Sequence, residues 1–261
     1  MSSKSPNTPE SFRGDPPKQN VSIRSMLSKM EQTFLPLGST IGKYTIIDEI
    51  DRGGMAVVYK ALQLDLDREV ALKVMPANIS INPRFLERFL SEAHAVAKLN
   101  HPNIVTIHEV STQDNIYYLA MDYIPGKNLY YYLNRNKPKL VDVLEIVSKL
   151  ADALAYAHHQ KIIHRDLKLN NVIMRDRQTP MLIDFGLAKA METDVSNITR
   201  TGEIVGSPAY MAPERLLDGE VDHRSDICSL GIMLYEMLTF KNPYLDQRSI
   251  HQTTMNVIEA A

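Results

Sequence analysis

Two polar segments in the middle of the chain contain residue types that bind metal ions and accept protons. Segment 164–171 reads HRDLKLNN, and segment 184–186 reads DFG. The first follows a long predicted helix and precedes a predicted hairpin, so we expect its polar groups on a loop. The carboxylates of Asp166 and Asp184 and the amide of Asn171 suit Mg²⁺, which prefers oxygen ligands and often retains substrate phosphates in its shell. Together the two segments are typical of a site for phosphate chemistry.

A single cation stands inside an otherwise apolar predicted strand. Lys73 lies in segment 70–74, which reads VALKV. A lysine in such a strand must extend to solvent or reach a counter-ion, because burying it alone is costly. Glu92 falls at the edge of the apolar stripe of the next predicted helix and is a suitable partner. A pair of Lys73 and Glu92 could aim the lysine at phosphate oxygens, and an ordinary structural salt bridge explains the spacing equally well.

A glycine-containing turn lies between the first two predicted strands. Segment 50–58 reads IDRGGMAVV, with Gly53 and Gly54 near its centre. Consecutive glycines let backbone N–H groups approach a phosphate without obstruction by a Cβ atom. The same pattern also describes a simple hairpin turn. Taken alone, this segment leaves both interpretations open.

The order of the predicted elements indicates an α+β fold in two lobes, because strands come first and helices later, with a hairpin between them. The predicted strands are 44–50, 57–62, 69–75, 104–110 and 116–121, followed by the hairpin strands 172–174 and 181–183. The predicted helices are 140–159, 226–239 and one that begins at Asn82 and Pro83 and ends near Leu99. Residues 1–43 are expected to be a disordered tail or linker, with either a short amphipathic helix or a frayed linker in segment 21–35.

The composition argues against several classes of function. A net charge of −2 over 261 residues gives no broad attraction to nucleic acid or anionic lipid, so we expect no nucleic-acid partner. Cys228 is the only cysteine, which excludes an internal disulfide and fits a reducing compartment. No apolar run approaches the roughly 20 residues of a membrane-spanning helix. We therefore expect a cytoplasmic chain, with a membrane anchor beyond Ala261 left open.

In their order and spacing these motifs resemble those of the protein kinase superfamily, and most closely those of bacterial-type serine/threonine kinases. The motifs are the glycine loop, the Lys73 strand, HRDLKLNN, DFG and the segment 212–214, APE. The resemblance extends from about residue 44 to 261. It implies a kinase-like fold with a small β-rich N-lobe (44–124) and a larger, mainly helical C-lobe (125–261) that lacks its last helices. ATP and Mg²⁺ are the implied cofactors, and proteins are the implied substrates.

The resemblance also implies the roles of individual residues. Asp166 would accept the proton of the substrate hydroxyl, Lys168 would steady the γ-phosphate, and Lys73, paired with Glu92, would hold the α- and β-phosphates. Asn171 and Asp184 would bind Mg²⁺, and Asp226 would steady the backbone of the catalytic loop. The implied ATP-contacting residues, besides Lys73, are Ile50, Asp51, Arg52, Gly53, Gly54, Met55, Ala56, Val57, Val58, Ala71, Met121, Asp122, Tyr123, Ile124 and Ile173.

Substrate class and regulation follow from the same resemblance. Lys168, two residues after Asp166, is similar to serine/threonine kinases rather than tyrosine kinases. The same holds for the segment 206–211, GSPAYM, which by the resemblance is the loop expected to bind the peptide substrate. Arg165 before the catalytic aspartate is typical of kinases that are activated by phosphorylation of the activation loop. Thr199 and Thr201 are the expected phosphosites, and one copy of the chain would phosphorylate another during self-association. The alternative is that both are simply polar residues on a loop.

The sequence departs from the family pattern at several positions. Asp51 replaces the first loop glycine, Ala56 replaces the third, and Leu169 replaces a proline in the catalytic loop. The chain ends at Ala261, before the arginine that normally pairs with Glu214, and we expect this carboxylate to lack a partner.

These departures keep alternatives open beside an active kinase: a pseudokinase or ATP-binding scaffold, an inactive truncated fragment and a small-molecule kinase. The intact Lys73, Asp166, Asn171 and Asp184 argue against the pseudokinase.

Overall fold

The computed structural model describes residues 35–53, 56–75, 83–114, 116–185, 207–217 and 221–260. Several residues singled out in the sequence lie outside the described residues: Gly54, Met55, Asn82, Gly186, Thr199 and Thr201. The same holds for the tail up to residue 34, which includes most of the proposed short helix.

The first half of the described chain forms a six-stranded antiparallel sheet in the order β1-β2-β3-β4-β6-β5. Its strands are β1 (Thr40–Ile41), β2 (Tyr44–Arg52), β3 (Val57–Gln63), β4 (Arg68–Met75), β5 (Ile107–Gln113) and β6 (Ile116–Asp122). Alternate residues of the strands, among them Tyr44, Tyr59, Leu72 and Tyr118, form one apolar cluster on one face. Ala71 and Leu119 belong to the main core on the opposite face. Strand β4 is therefore buried on both sides, which explains its nearly continuous apolar sequence.

Helix α1 (Pro83–Val96) covers the sheet next to β5. Ala93 and Val96 are its buried residues within the described side chains. The sequence predicted that this helix continues to about Leu99. The amide of Leu99 instead bonds to the carbonyl of Val96 (2.9 Å), a shorter-range bond that tightens the last turn and ends the α-helix earlier.

The second half of the described chain is mainly helical. Its helices are α2 (Leu129–Asn136), α3 (Leu140–His159), α4 (Pro213–Leu216), α5 (His223–Thr239) and α6 (Ile250–Glu259), and its short strands are β7 (Lys127–Asn128), β8 (Val172–Met174) and β9 (Pro180–Leu182). Helix α3 buries Val143, Ile146, Leu150 and Leu154 at helical spacing and packs against α5. The α+β arrangement predicted from the sequence is confirmed.

The connection before β5 joins the sheet to the β8–β9 hairpin. The sequence predicted a strand at 104–110, but β5 begins at Ile107. Ile104 instead forms an isolated parallel bridge with Leu182, and the Leu182 amide bonds to the Asn103 carbonyl (2.8 Å). The hairpin carries Ile173 on β8 and leads directly into Asp184, so these backbone bonds fix the candidate site relative to the sheet.

A close backbone approach explains the glycine that follows β6. A Cβ atom added to Gly126 would lie 2.1 Å from the carbonyl oxygen of Met174, which is far inside van der Waals contact. Met174 belongs to β8, so this contact is between backbones of the hairpin sheet. Gly126 allows the chain to pass β8 at this distance.

We predict that Gly126→Ala lowers the free energy of unfolding by about 1–3 kcal/mol, because the added methyl group must displace backbone. Urea unfolding followed by circular dichroism measures the change. Gly231→Ala is the matched control, because a Cβ at this α5 position meets nothing within 4 Å. The control should raise stability by roughly 0.5–1 kcal/mol through helix propensity. Equal effects of the two substitutions would contradict the argument.

Candidate active site

A buried carboxylate on α5 anchors the loop that carries Asp166. The side chain of Asp226 is 1% exposed. It accepts hydrogen bonds from the backbone N–H groups of His164 (2.8 Å) and Arg165 (2.9 Å) and contacts Nε2 of His158 at 2.7 Å. Burial alone would raise the pKa of Asp226, but these hydrogen bonds and the nearby histidines hold it below its ordinary value. The expected role of Asp226 in steadying the loop agrees with this geometry.

Asp166 is oriented by two side chains of its own loop. Lys168 Nζ lies 2.8 Å from Oδ2 of Asp166, and Nδ2 of Asn171 donates to the same oxygen at 2.9 Å and to the Asp166 carbonyl at 2.7 Å. These contacts all use one carboxylate oxygen and the backbone. Among the described residues no hydrogen bond to the second carboxylate oxygen, Oδ1, is formed, so this oxygen can accept a proton.

A neutral histidine packs beneath Asp166 and Asp184. His164 is fully buried, and burial lowers its pKa despite the nearby Asp226 and Asp166. Its Nε2 lies 3.0 Å from the carbonyl of Ile183, which can only accept, so Nε2 carries the proton. Its ring contacts Phe185 with the centroids 4.5 Å apart. His164 therefore joins the Asp166 loop to the Asp184 segment without adding charge.

The candidate lysine forms its ion pair with Asp184. Lys73 Nζ lies 2.6 Å from Oδ1 of Asp184, and the two side chains are 16% and 28% exposed. Burial alone would raise the pKa of Asp184, but the charge of Lys73 and its hydrogen bond hold it below the ordinary value. Asp184 has a backbone φ of 61°, an uncommon conformation for a non-glycine residue.

The predicted pairing of Lys73 with Glu92 is wrong in this structure. Glu92 Oε1 lies 3.7 Å from the guanidinium nitrogen Nη1 of Arg165, while Lys73 meets Asp184. Helical spacing correctly placed Glu92 beside the buried face of α1. It could not show which of two acidic side chains takes Lys73, because Asp184 is distant in sequence.

The sheet brings the expected ATP-contacting residues together in its register. Val58 lies opposite Lys73, and Ala71 lies opposite Met121. The other described members of the set are Ile50, Asp51, Arg52, Gly53, Ala56, Val57, Asp122, Tyr123, Ile124 and Ile173, in or beside β2, β3, β6 and β8. Ala71, Met121 and Ile124 are buried, whereas Ile50, Asp51 and Arg52 are exposed.

Two side chains outside the expected set contact the last residue of β6 and the residue that follows it. Nε2 of His108 lies 2.8 Å from Oδ1 of Asp122. The ammonium of Lys60 lies 4.8 Å from the centre of the Tyr123 ring, a cation–π contact. His108 and Lys60 therefore contact two of the residues, Asp122 and Tyr123, that are expected to bind ATP.

The oxygen donors of the site fit a magnesium ion that also binds phosphate. Within the described part of the chain, Asn171 directs its amide nitrogen to Asp166, which leaves the amide oxygen available. Asp184 contacts Lys73 there through Oδ1 alone. Among the described residues, no cluster of three or more histidine, cysteine, aspartate or glutamate side chains could hold a metal. A two-oxygen set completed by phosphate suits Mg²⁺, which keeps few protein ligands.

Sequence reasoning missed two residues that support the catalytic loop. His158 contacts Asp226 from the end of α3, and a guanidinium nitrogen of Arg215 donates to the carbonyl of Arg165. The only signals were a histidine next to the buried stripe of α3 and an arginine directly after the APE motif. The expectation that Glu214 lacks a partner is wrong, because the hydroxyl of Ser225 donates to it at 2.5 Å.

The chain matches the family model described as a protein kinase domain over residues 44–261. It is 38% identical over 204 residues to the serine/threonine-protein kinase PrkC of Bacillus subtilis, covering 78% of this chain and 31% of PrkC. It is 40% identical over 204 residues to a probable serine/threonine-protein kinase PknB of Lactococcus lactis, covering 77% of this chain and 32% of the relative. This chain thus spans about a third of the length of the curated relatives it matches.

Solved structures agree with the sequence comparison. The crystal structure of the Mycobacterium tuberculosis PknI kinase domain matches with a TM-score of 0.67 at 28% identity, covering 83% of this chain and 80% of that one. The kinase-like fold with a β-rich N-terminal sheet and a helical second part is thereby confirmed. In the part of the chain that the structure describes, no helix is both long and apolar enough to span a membrane.

We predict that Lys73→Met destabilises the fold at neutral pH by about 1–3 kcal/mol, because Asp184 loses its cation. The cost stays below that of a fully buried pair because Asp184 is partly exposed. In the parent chain the pKa of Asp184 is lower in the folded than in the unfolded state, so the ionised carboxylate stabilises the fold. This stabilisation is fully present above the unfolded-state pKa of about 3.9 and is lost as the pH falls through the folded-state pKa. In the variant, Lys73 no longer offsets the effect of burial, so the pKa of Asp184 is higher than in the parent chain and protonation relieves part of the penalty as the pH falls.

Urea unfolding at pH 7 and pH 4 measures this difference, which should shrink at the lower pH. Lys60→Met is the matched control, because its partner Glu69 is 49% exposed and solvent screens the pair. The control should show a small and nearly pH-independent change. A penalty for Lys73→Met that is equal at both pH values would contradict the assignment of the pair.

Proposed function

The chain belongs to the protein kinase domain family, and from this premise we propose that it transfers the γ-phosphate of Mg·ATP to serine or threonine hydroxyls of proteins. The observation that carries the proposal is the orientation of Asp166 by Lys168 and Asn171. An aspartate held in this way can serve as the base for a substrate hydroxyl, provided that the hydroxyl comes within hydrogen-bond distance. The curated relatives are about three times as long as the matched part of this chain, so the activity of a whole protein is part of the proposal.

The proposed transfer needs little covalent chemistry from the protein. As the substrate hydroxyl oxygen attacks the γ-phosphorus, its proton passes to Asp166, and the bond from the γ-phosphorus to the bridging oxygen of ADP breaks. Lys168 contributes positive charge beside Asp166, and Lys73 binds phosphate oxygens. Magnesium held by the oxygens of Asn171 and Asp184 would supply the remaining charge that offsets the transferring phosphoryl group.

The observed ion pairs correspond to a resting arrangement. Lys73 is held by Asp184 and Glu92 is held by Arg165, so the groups that would bind phosphate and metal contact each other. Mg·ATP would replace Asp184 at Lys73 with phosphate oxygens and release the carboxylate. A phosphate on Thr199 or Thr201 would in turn compete with Glu92 for Arg165, which binds phosphate well because its guanidinium is planar and bidentate.

The surface beside the catalytic loop supports a protein substrate. A cavity of about 370 Å³ is lined by Leu169 of this loop and by residues of α2, α5 and the segment before α6. Glu236 lies in its wall and is buried, with Oε2 bonded to the hydroxyl of Tyr210 at 2.7 Å. A concave surface of this size, lined by a residue of the loop that carries Asp166, is large enough for a side chain of a peptide.

The proposal extends to partners and location. Phosphorylation of one copy by another requires transient self-association, and ATP use with a single cysteine fits the cytoplasmic side of a membrane. The main rival is a pseudokinase that binds ATP as a scaffold. The oriented Asp166 and the available oxygen of Asn171 favour the active enzyme, because a scaffold requires neither.

We predict that Asp166→Asn reduces transfer of labelled phosphate from Mg·ATP by about 10²–10⁴-fold, because it removes a positioned base. Incorporation into the chain itself and into a generic basic protein measures the rate. Asp152→Asn is the matched control, because Asp152 is an exposed residue of α3.

A second measurement, the shift of the melting temperature on addition of Mg·ATP, detects nucleotide binding and separates the active kinase from the scaffold and the inactive fragment. Binding of Mg·ATP without transfer in the parent chain would favour the scaffold, and neither binding nor transfer would favour an inactive fragment.

We also predict that the active chain carries phosphate on Thr199 or Thr201. Mass spectrometry of protein incubated with Mg·ATP should find these sites modified, and Asp166→Asn protein treated alone should show neither. Alanine at both positions should lower the transfer rate, since Arg165 then keeps Glu92 as its partner. Fully active protein with both threonines unmodified would sink this regulatory proposal.

A further inference from the structure

The two peptide groups on either side of the Asp166 Cα atom are held by side chains. The carbonyl oxygen of Arg165, in the preceding peptide, accepts a hydrogen bond from Nη1 of Arg215. The carbonyl oxygen of Asp166 itself accepts from Nδ2 of Asn171 at 2.7 Å. The direction of a side chain depends on the backbone dihedrals at its own Cα atom. These two donors therefore fix the peptide planes on both sides of Asp166, and with them the direction of its Cα–Cβ bond.

The preceding residue needs this support because its conformation is uncommon. Arg165 has a backbone φ of 64°, in the left-handed region. A non-glycine residue stays there only when its surroundings hold it. Its N–H donates to Oδ1 of Asp226 at 2.9 Å, and its carbonyl accepts from Arg215. The two sides of Arg165 are thus held by two different elements, α5 and α4.

Helix α4 connects this contact to the segment expected to bind the peptide. The segment 207–212 leads directly into α4, and the Arg215 amide donates to the carbonyl of Ala212 at 3.0 Å. The segment and the helix are tied to α5 by Ser229, which donates to the carbonyl of Tyr210 at 2.7 Å, and by Ser225, which donates to Glu214. Arg215 thus extends from a frame fixed on α5 to the peptide before Asp166.

We propose that Arg215 is a positioning residue, which fixes the peptide plane before Asp166 and couples the peptide-binding segment to the base. Only the kinetic part of this inference rests on the proposed kinase activity. Arg215 touches neither ATP nor the reacting atoms in this proposal, and it acts through the carbonyl of Arg165. A charged donor suits this task, because hydrogen bonds from ionised groups are shorter and stronger than neutral ones.

The test compares Arg215→Met and Arg215→Lys with the parent chain. Arg215→Met should lower kcat for phosphate transfer by about tenfold to a hundredfold, the range that one charge-assisted hydrogen bond carries, while KM for ATP stays within about twofold. Arg215→Lys should recover part of kcat because it keeps a cationic donor, although without the planar geometry. Arg224→Met is the matched control, because this arginine on α5 is 78% exposed and bonds only to the nearby Asp222 among the described residues.

Hydrogen–deuterium exchange supplies a readout that does not depend on activity. In Arg215→Met, amides of segment 164–167 should exchange about tenfold faster, while amides of β3 and β4 keep their parent rates. Uniformly faster exchange, or a parallel rise in KM for ATP, would mean a general structural role and would overturn the proposal. Unchanged exchange in segment 164–167 would overturn it as well. If the parent chain transfers no phosphate, the exchange result alone decides on Arg215, and the failure then belongs to the proposed function.

Discussion

The carboxylate of Asp226 is the constraint on which the candidate site depends. It is buried in α5 and binds the backbone of two consecutive residues, His164 and Arg165, together with the His158 side chain. A buried charge of this kind is tolerable only when hydrogen bonds compensate for the lost hydration. The catalytic loop supplies that compensation through its N–H groups. The loop and α5 therefore stabilise each other, and the position of Asp166 follows from the position of α5.

Two ion pairs near this anchor determine how the site can respond to a charged ligand. Lys73 and Asp184 form one ion pair, and Arg165 and Glu92 form another. Each pair joins an element of the first half of the chain to a loop of the second half. A ligand that carries phosphate and metal would offer each of these groups a new partner of opposite charge. The energetic cost of breaking the pairs is then offset by the contacts that replace them, which is how ligand binding biases a two-state arrangement.

The sequence was most informative where a local pattern determines the structure. The helix 140–159 and the strand 172–174 appear with the predicted bounds, because apolar periodicity and strand length are local properties. The strand at 104–110 was displaced, since its first residues are apolar for a different reason: they pack and bond against β9. An apolar sequence alone does not show whether a segment forms a strand of the sheet or only an isolated β-bridge.

The partners of long charged side chains were beyond local patterns. The sequence identified Lys73, Glu92, Asp184 and Arg165 as the charged groups but paired Lys73 with Glu92, and the structure exchanges the partners. Likewise, Glu214 was expected to lack a partner, and Ser225 bonds to it. Such pairings depend on the directions of side chains from elements far apart in sequence. They are accessible only after the fold has placed those elements.

Arg165 shows why the chemistry of this site cannot be divided among separate residues. Its N–H binds α5, its carbonyl binds Arg215 of α4, and its guanidinium lies beside Glu92 of α1. The first two contacts hold the backbone next to Asp166, and the third involves the helix that borders the sheet. A change of partner at the guanidinium can therefore occur without disturbing the peptide that positions Asp166. The backbone of Arg165 thus has a fixed role and its side chain an ion pair that can exchange, and the proposed regulation by phosphorylation would act on the ion pair while the backbone contacts are preserved.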